Sequence, residues 1–396
     1  MIRLGISHAE LTALVNQLSV SRREYTTVTV TDLADNHMAD LSDLVADGQV
    51  NVDTTQAIDR SAQVTFNDPD RSLPFDTDSP ASTALFFDRM LHITRSILVG
   101  ETWQHVPLFK EPVTGLTRSG DQVTATAVGK EVFFQGVAWA ARTLRKGTPK
   151  TDAITEILTV GNSFYAEHFR SIPDLSAKLG STVSIARDSN LWSKARAIAS
   201  SMSMQLYYDG MGVCRLRDYP GTSVFTFKDA LVVTRPQIEY SSDIVNAAYV
   251  VGGVPKGAST PVAALAIAEA SHPLSPHRIG RVLLPNGQIT TNTALLTVAE
   301  AEKYADTLVR DGLLQSVKVA FESIPVPLLE PYDLCEVQTP DLGSVLFRLN
   351  QYTYPLGFSG NMTVGYTGPR SLVPRTMLLT RGYPAHYPPK KTRRHK

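Results

Sequence analysis

The sequence predicts a mainly β chain carrying a small α+β insertion, and two observations lead there. Apolar and polar residues alternate at period two over several short Thr- and Val-rich runs, which Gly, Pro and Asp clusters separate. Between two such β-rich stretches the spacing changes to that of helices. Short strands bounded by turn residues, each with one wet face, read as an antiparallel sandwich or barrel rather than a parallel sheet.

The first β module is expected over residues 22–130, after an N-terminal segment, 1–21. In "EYTTVTVTD" Thr26, Val28 and Val30 oppose Thr27, Thr29 and Thr31. Farther on, Val50, Val52, Ile58, Ala62, Val64 and Phe66 share one parity, while Asn51, Asp53, Thr55, Asp59, Ser61, Gln63 and Thr65 take the other. That alternation predicts a strand with one solvated face. In "LHITRSILV" Leu91, Ile93, Ile97 and Val99 alternate with His92, Thr94 and Ser96, and "QVTATAV" sets Val123, Ala125 and Ala127 in register.

Residues 131–222 form the expected insertion. "FFQGVAWAARTLRKG", "TDAITEILTVG" and "NLWSKARAIASSMSM" have helical spacing, with Leu191, Ala195, Ile198 and Met202 on one stripe. "QLYYDGMGVCRLR" then places Asp209-Gly210 between two strand-like runs, a strong hairpin signal.

A second β module is expected over 223–370, from "VFTFKDALVV" to "NMTVGYTG". One helix interrupts it at "TVAEAEKYADTLVRDG": Thr297 and Glu300 are spaced as a capping box, Val298, Ala301, Ala305 and Leu308 share a face, and Gly312 is placed to end the helix. Residues 371–396 are Pro-containing, end in "KKTRRHK", and read as an extended or disordered basic tail.

Bulk properties limit the function. The 396 residues suffice for two or three domains. Basic and acidic residues balance at 38 each, so no net field draws the whole protein to nucleic acid or an anionic membrane. Two distant cysteines, Cys214 and Cys335, each in an apolar run, suit free buried thiols in a reducing compartment rather than a disulfide framework or zinc site. The N-terminus lacks an apolar signal-peptide core, and no stretch has the roughly 18 apolar residues of a membrane helix.

Each candidate for chemistry has a plainer reading. Asp68, Asp70, Asp76 and Asp78 in "NDPDRSLPFDTDSP" could offer oxygen ligands to a hard cation, but Pro69, Pro74 and Pro80 interrupt and the glycine and glutamate of a calcium loop are missing. Asn-Asp-Pro-Asp after Phe66 is instead what ends a strand. "GNSFY", "GTSVF" and "GFSGN" fail the nucleophile-elbow pattern. His272 and His277 lie in a Pro-rich loop without the helical spacing of a zinc pair. Gly252, Gly253 and Gly257 in "VVGGVPKG" lack the lysine and serine of a phosphate loop and read as a strand-end turn. Tyr207, Tyr208, Trp103 and Trp192 form no stacking array and read as core or interface residues. The expectation is therefore no catalytic residue, no cofactor site, no metal site and no enzyme activity.

The order of the parts carries a resemblance. "REYTTVTVTD", then "GQVNVDTTQAIDRSAQVTFNDPDRSLPFDTDSP", "VPLFKEPVTGL", "NLWSKARAIASSMSMQLYYDGMGVCRLRDYP", "SSDIVNAAYVVGG" and "LLEPYDLCEVQTPDLGSVLFRLNQYTYPLGFSGNMTVGY" together resemble the tail hub, or tail-associated, minor tail proteins of long-tailed bacteriophages. These are similar in plan to the central baseplate hub of contractile phages. The resemblance implies two tube-like antiparallel β-barrel modules per chain and a homotrimer whose pseudo-sixfold ring continues a hexameric tail tube. It implies a structural virion protein at the tail tip, assembled in the host cytoplasm, that adapts tube to tip and forms part of the channel for genome ejection. Implied partners are the distal tail ring, the tape-measure protein and other tip or fibre proteins, with DNA only in transit and no integral membrane segment. Many relatives add a C-terminal extension that binds receptors or cuts peptidoglycan; this chain stops soon after its second β module. The alternatives are a receptor-binding tail-tip adhesin and a tail-tip cell-wall hydrolase.

Overall fold

In the computed structural model, residues 8–18, 23–73, 84–135, 141–160, 165–168, 170–187, 189–240, 244–314, 317–340, 343–357, 360–367 and 379–382 are described. The chain is mainly β and its large sheet is antiparallel, as its alternation predicts.

After helix α1 (His8–Gln17), the first β stretch supplies β1 (Glu24–Asp32), β2 (His37–Asp40), β3 (Val45–Asp53), β4 (Arg60–Asn67), β5 (Arg89–Val99), β6 (Thr102–Ser119) and β7 (Gln122–Val128). The insertion holds α2 (Val132–Gln135), β8 (Arg142–Leu144), α3 (Lys150–Val160), β9 (Arg170–Ser171), β10 (Val183–Ile185), α4 (Leu191–Ser200), β11 (Met204–Tyr208) and β12 (Cys214–Asp218). Then follow β13 (Phe225–Lys228), β14 (Gln237–Tyr240), β15 (Ala247–Val251), β16 (Ala263–Ala268), α5 (Pro276–Ile279), β17 (Thr290–Thr291) and α6 (Val298–Leu314). The last strands are β18 (Val317–Ser323), β19 (Leu334–Thr339), β20 (Gly343–Arg348), β21 (Gln351–Pro355), β22 (Met362–Thr367) and β23 (Leu379–Gly382).

One eleven-stranded sheet, in the order β14-β18-β22-β21-β3-β4-β7-β6-β5-β1-β2, joins the two β-rich stretches. The seam is β21 against β3, antiparallel, with Tyr352 opposite Val52 and Tyr354 opposite Val50. β6 pairs with β5 up to Pro112 and with β7 from Val113, and its register shifts between Val113 and Gly115. An extra residue there bends the strand and lets one segment serve two neighbours. In the smaller sheets, β12 with β9, β13 with β19 and β15 with β17 pair in parallel.

The alternating apolar residues do face inward: Val28, Val30, Ala62, Val64, Phe66, Val123, Ala125 and Ala127 are all buried. They share one hydrophobic core with Phe227, Phe321, Phe347, Tyr354 and Val364 of the second stretch and with Leu14 and Leu18 at α1. A second core fills the insertion, where α3 and α4 pack together and α4 covers β11. A third lies between β15, β16 and α6.

Several local expectations need correction. The alternation over 50–66 is a hairpin rather than a single strand: β3 ends at Asp53, β4 starts at Arg60, and the two pair antiparallel. Two strands of equal parity look like one when the turn between them preserves the period. Asp59, expected on the wet face, is buried. "FFQGVAWAARTLRKG" contributes only α2 as helix; β8 follows, and 136–140 lie outside the described residues. Gly312 does not stop α6, which runs on to Leu314. A Cβ there would lie 2.1 Å from the Val245 side chain, so close packing is what requires the glycine. Val298 is exposed, and the buried face of α6 runs through Ala301, Ala305, Val309 and Leu313. Within the basic tail, Leu379–Gly382 pairs with β16; the rest of it, including "KKTRRHK", lies outside the described residues. Among the described residues no helix is long and apolar enough to cross a membrane.

Candidate functional site

The densest chemistry is a buried, charged junction where the insertion meets the two halves of the large sheet. Its centre is the loop 325–333 between β18 and β19, buried along its whole length. Loops normally run over the surface because their backbone groups need partners, so a buried loop must be hydrogen-bonded throughout. Here Tyr332 N donates to Leu349 O at 2.8 Å, Leu349 N to Asp333 O at 2.8 Å, and Tyr352 Oη to Leu329 O at 2.9 Å. Glu330 N donates to Asp333 Oδ2 at 2.8 Å. Tyr332 sits at φ 67°, a left-handed conformation that a non-glycine residue holds only when its surroundings enforce it.

Arg60, at the start of β4, reaches this loop. Its Nη2 lies 2.8 Å from Glu330 Oε2 and its Nη1 donates to Leu108 O at 2.7 Å, with both side chains sealed from water. Burial pushes the Glu330 carboxyl up to about 7, while the Arg60 guanidinium beside it pulls the other way. The hairpin predicted at Asp209-Gly210 connects to the same acid: Gly210 N donates to Glu330 Oε1 at 3.0 Å. Asp209 holds the turn, accepting from Met211 N and Val213 N at 2.9 Å each, and pairs with Arg215 at 2.5 Å. Gly212, at φ +68°, offers its carbonyl to Lys130 Nζ at 2.7 Å.

A second group of acids lies nearby. Asp59 is 3.3 Å from Arg196 of α4 and accepts from Tyr332 Oη at 3.3 Å; burial pushes it up to about 6 against the pull of Arg196. Glu111 on β6 accepts from Lys130 N at 2.7 Å, and burial raises its carboxyl well above the ordinary range. Glu131 is fully buried, and neither carboxylate oxygen has a hydrogen-bond partner among the described residues. Burial, reinforced by the Asp59 carboxylate, pushes it up to about 8.

A separate tie lies along β5. Arg95 pairs with Glu24 at 2.5 Å and donates from Nη1 to Leu356 O at 3.0 Å, joining β1 and β5 to the end of β21. Arg60 and Arg95 both sit on the inward parity of their strands. A charge at an apolar position of an alternating run is the signal by which sequence alone could have marked them.

These contacts hold segments together. Among the described residues, no group of three or more His, Cys, Asp or Glu could hold a metal ion. Cys214 and Cys335 are buried, and burial raises both thiols well above their ordinary value, which disfavours the thiolate. Ser223 Oγ donates to Phe225 O at 2.9 Å; Ser163 and Ser359 lie outside the described residues. His272 Nδ1 accepts from Leu274 N at 3.1 Å and His277 N donates to Ser275 Oγ at 3.2 Å, so both belong to one local turn. Gly252 N and Gly253 N donate to Val262 O and Leu295 O, leaving neither to cradle a phosphate. Trp192 stacks on Tyr208 within the insertion core, while Trp103 meets Tyr25 edge-on and stays partly exposed.

In the described half of the aspartate-rich turn, the Asp68 carboxylate is taken up by local partners. Asp68 accepts from Ser72 N at 2.7 Å, Ser72 Oγ at 2.8 Å and Leu73 N at 3.2 Å, and pairs with Arg118 at 2.6 Å. Asp70 is exposed, and Asp76 and Asp78 lie outside the described residues.

Comparison with known proteins gives a fold but no close relative. No family model matches the sequence, and no curated protein matches it. The structure is similar to that of a tail protein from Neisseria meningitidis MC58, with a TM-score of 0.54 and 13% identity, over 87% of this chain and 96% of that one. It is also similar to the 43 kDa tail protein of prophage MuSo2 from Shewanella oneidensis, with a TM-score of 0.56 and 12% identity, over 87% and 98% of the two chains. The chain has the fold of phage tail proteins. A third match, prophage tail protein gp18 from Listeria monocytogenes EGD-e, has a TM-score of 0.51 at 12% identity. The tail-protein resemblance read from the order of strands, hairpin and helix is thus the resemblance the coordinates show.

Proposed function

We propose that this chain is a structural component of a phage-type tail, three copies of which form a hub ring at the distal end. The ring adapts a hexameric tail tube to the tip and lines part of the channel through which the genome leaves. One observation carries this reading: the tail-protein fold extends over 87% of this chain and over 96% and 98% of the Neisseria and Shewanella proteins, so the likeness is of whole chains and not of one shared module. The chain is divided at 22–130, 131–222 and 223–370, with one barrel-like β module on each side of the insertion. Two such modules in each of three chains make six, which is what sixfold continuity requires.

The geometry supports a role as a rigid building block. Sheet edges are templates for pairing with other chains, and β2 and β14 end the eleven-stranded sheet. A head-to-tail contact between unlike edges closes into a ring when its rotation divides a full turn. The buried junction fixes the insertion against the sheet. In this reading the protein works by shape and catalyses no covalent step. Its partners are two further copies, the distal tail ring, the tape-measure protein and tip or fibre proteins, in the virion after assembly in the host cytoplasm.

The test is imaging of tail particles carrying an affinity label on this chain. Label at the tip end of the tube is expected. Label absent from particles, or spaced along the tube, overturns the placement.

A further inference from the structure

Beside the junction lies an open cleft of about 450 Å³ between the outer face of the insertion sheet and the buried loop. That volume lies within the range of sites for small ligands and short peptide segments. Its rim carries Arg170 of β9 and Arg215 and Arg217 of β12, with Ile172 and Leu216 between them. β12 and β9 run parallel, with Arg170 in register with Cys214 and Arg215 with Ser171, and both arginines line the cleft.

The charges in this cleft do not cancel. Asp209 is paired with Arg215, Glu330 with Arg60 and Asp333 with Arg217, so each deep carboxylate already has its cation. Arg170 is exposed, and its hydrogen bond is to a backbone carbonyl, Glu167 O, from Nη1 at 2.5 Å. Among the described residues it has no carboxylate partner. Arg215 uses only Nε on Asp209, leaving both terminal nitrogens of its fork without a partner among the described residues. Two guanidinium forks with unused donors, on a wall whose carboxylates are already paired, suit carboxylates spaced along an extended chain.

We propose that this cleft binds an acidic, extended peptide segment of a partner protein, whose carboxylate side chains engage Arg170 and Arg215. A nucleic-acid strand fits less well. The Tyr207 ring, the one aromatic lining the cleft among the described residues, is covered by the Arg217 guanidinium at 4.9 Å, so it offers no free face for a base to stack on. The inference does not depend on the trimer, because every contributing residue belongs to one chain.

The test is fluorescence anisotropy with the full-length protein and a fluorescein-labelled peptide of alternating aspartate and alanine. Matched probes are the same peptide with asparagine for aspartate, and a short single-stranded DNA. Saturable binding of the aspartate peptide is expected, weakened about tenfold or more by Arg170→Glu, as loss of a charged hydrogen bond requires, and less by Arg170→Lys. Added salt should weaken it too. Arg170 is exposed, so its variants should melt with the parent. Absence of saturable binding by the folded parent, equal binding of the asparagine peptide, tighter binding of DNA, or indifference to Arg170→Glu would each overturn the assignment.

Discussion

Arg60 and Glu330 stand 270 positions apart in the chain, yet Nη2 and Oε2 meet at 2.8 Å with both side chains sealed from water. The pair joins the first strands of the large sheet to a loop near its last ones, and the insertion's hairpin binds the same carboxylate through Gly210 N. A buried pair of this kind adds little net stability over an apolar substitute, but removing one partner strands the other in a low-dielectric interior.

Arg60→Met and Glu330→Gln are therefore each expected to destabilise the fold by about 3–5 kcal/mol in denaturant melts. The double variant should cost clearly less than the two single losses together, because neither charge is left alone. Full additivity would mean that the two groups do not interact.

Two buried acids with raised carboxyls, Glu131 and Asp59, set a pH dependence. The unfolded chain ionises Glu131 and Asp59 at about 4, whereas the folded chain holds them at about 8 and about 6. Between those values the native state keeps protons that the unfolded state has lost, so their contribution is fully present below about pH 4 and falls as pH rises. The melting temperature should decline from about pH 5 to about pH 8, and Glu131→Gln should flatten that decline. A variant with an unchanged slope would contradict the burial of Glu131 as an acid.

Asp68 has the opposite sign. Burial alone would raise it, but hydrogen bonds from Arg118, Ser72 and Leu73 outweigh that and hold its carboxyl below the ordinary value. Its contribution is present above about pH 4 and is lost as pH falls through the lowered value. Asp68→Asn should cost about 1–3 kcal/mol at neutral pH and remove part of the acid sensitivity. Calcium should leave the melting temperature of the parent unchanged; stoichiometric, tight binding at this turn would restore the cation reading.

Gly312→Ala should destabilise the protein although alanine is the better helix former by about 1 kcal/mol. The added methyl would meet the Val245 side chain at 2.1 Å, and overpacking of this kind costs about 1–3 kcal/mol. Replacing Val245 with alanine in the same chain should recover part of the loss.

What the sequence made legible was periodic or local. Period-two runs located β1, β5 and β7, the stripe Leu191, Ala195, Ile198 and Met202 located the buried face of α4, and Asp209-Gly210 located a hairpin. The Thr297 and Glu300 capping box forms as spaced, with Glu300 N donating to Thr297 Oγ1 at 3.2 Å. The junction was not legible, because its contacts span up to 273 residues and no local pattern pairs Asp59 with Tyr332. The turn between β3 and β4 was hidden by a parity that carries through it. Whole-chain order was more informative than any phrase, since the succession of strands, hairpin and return strands resembled tail proteins where no single motif did.

The number of chains in the assembled particle, read by native mass spectrometry of the purified full-length protein and of hubs released from tails, tests the hub ring most directly. Three copies in a closed ring with a central channel is the predicted result. A chain that stays monomeric at high concentration and is missing from released hubs would contradict it.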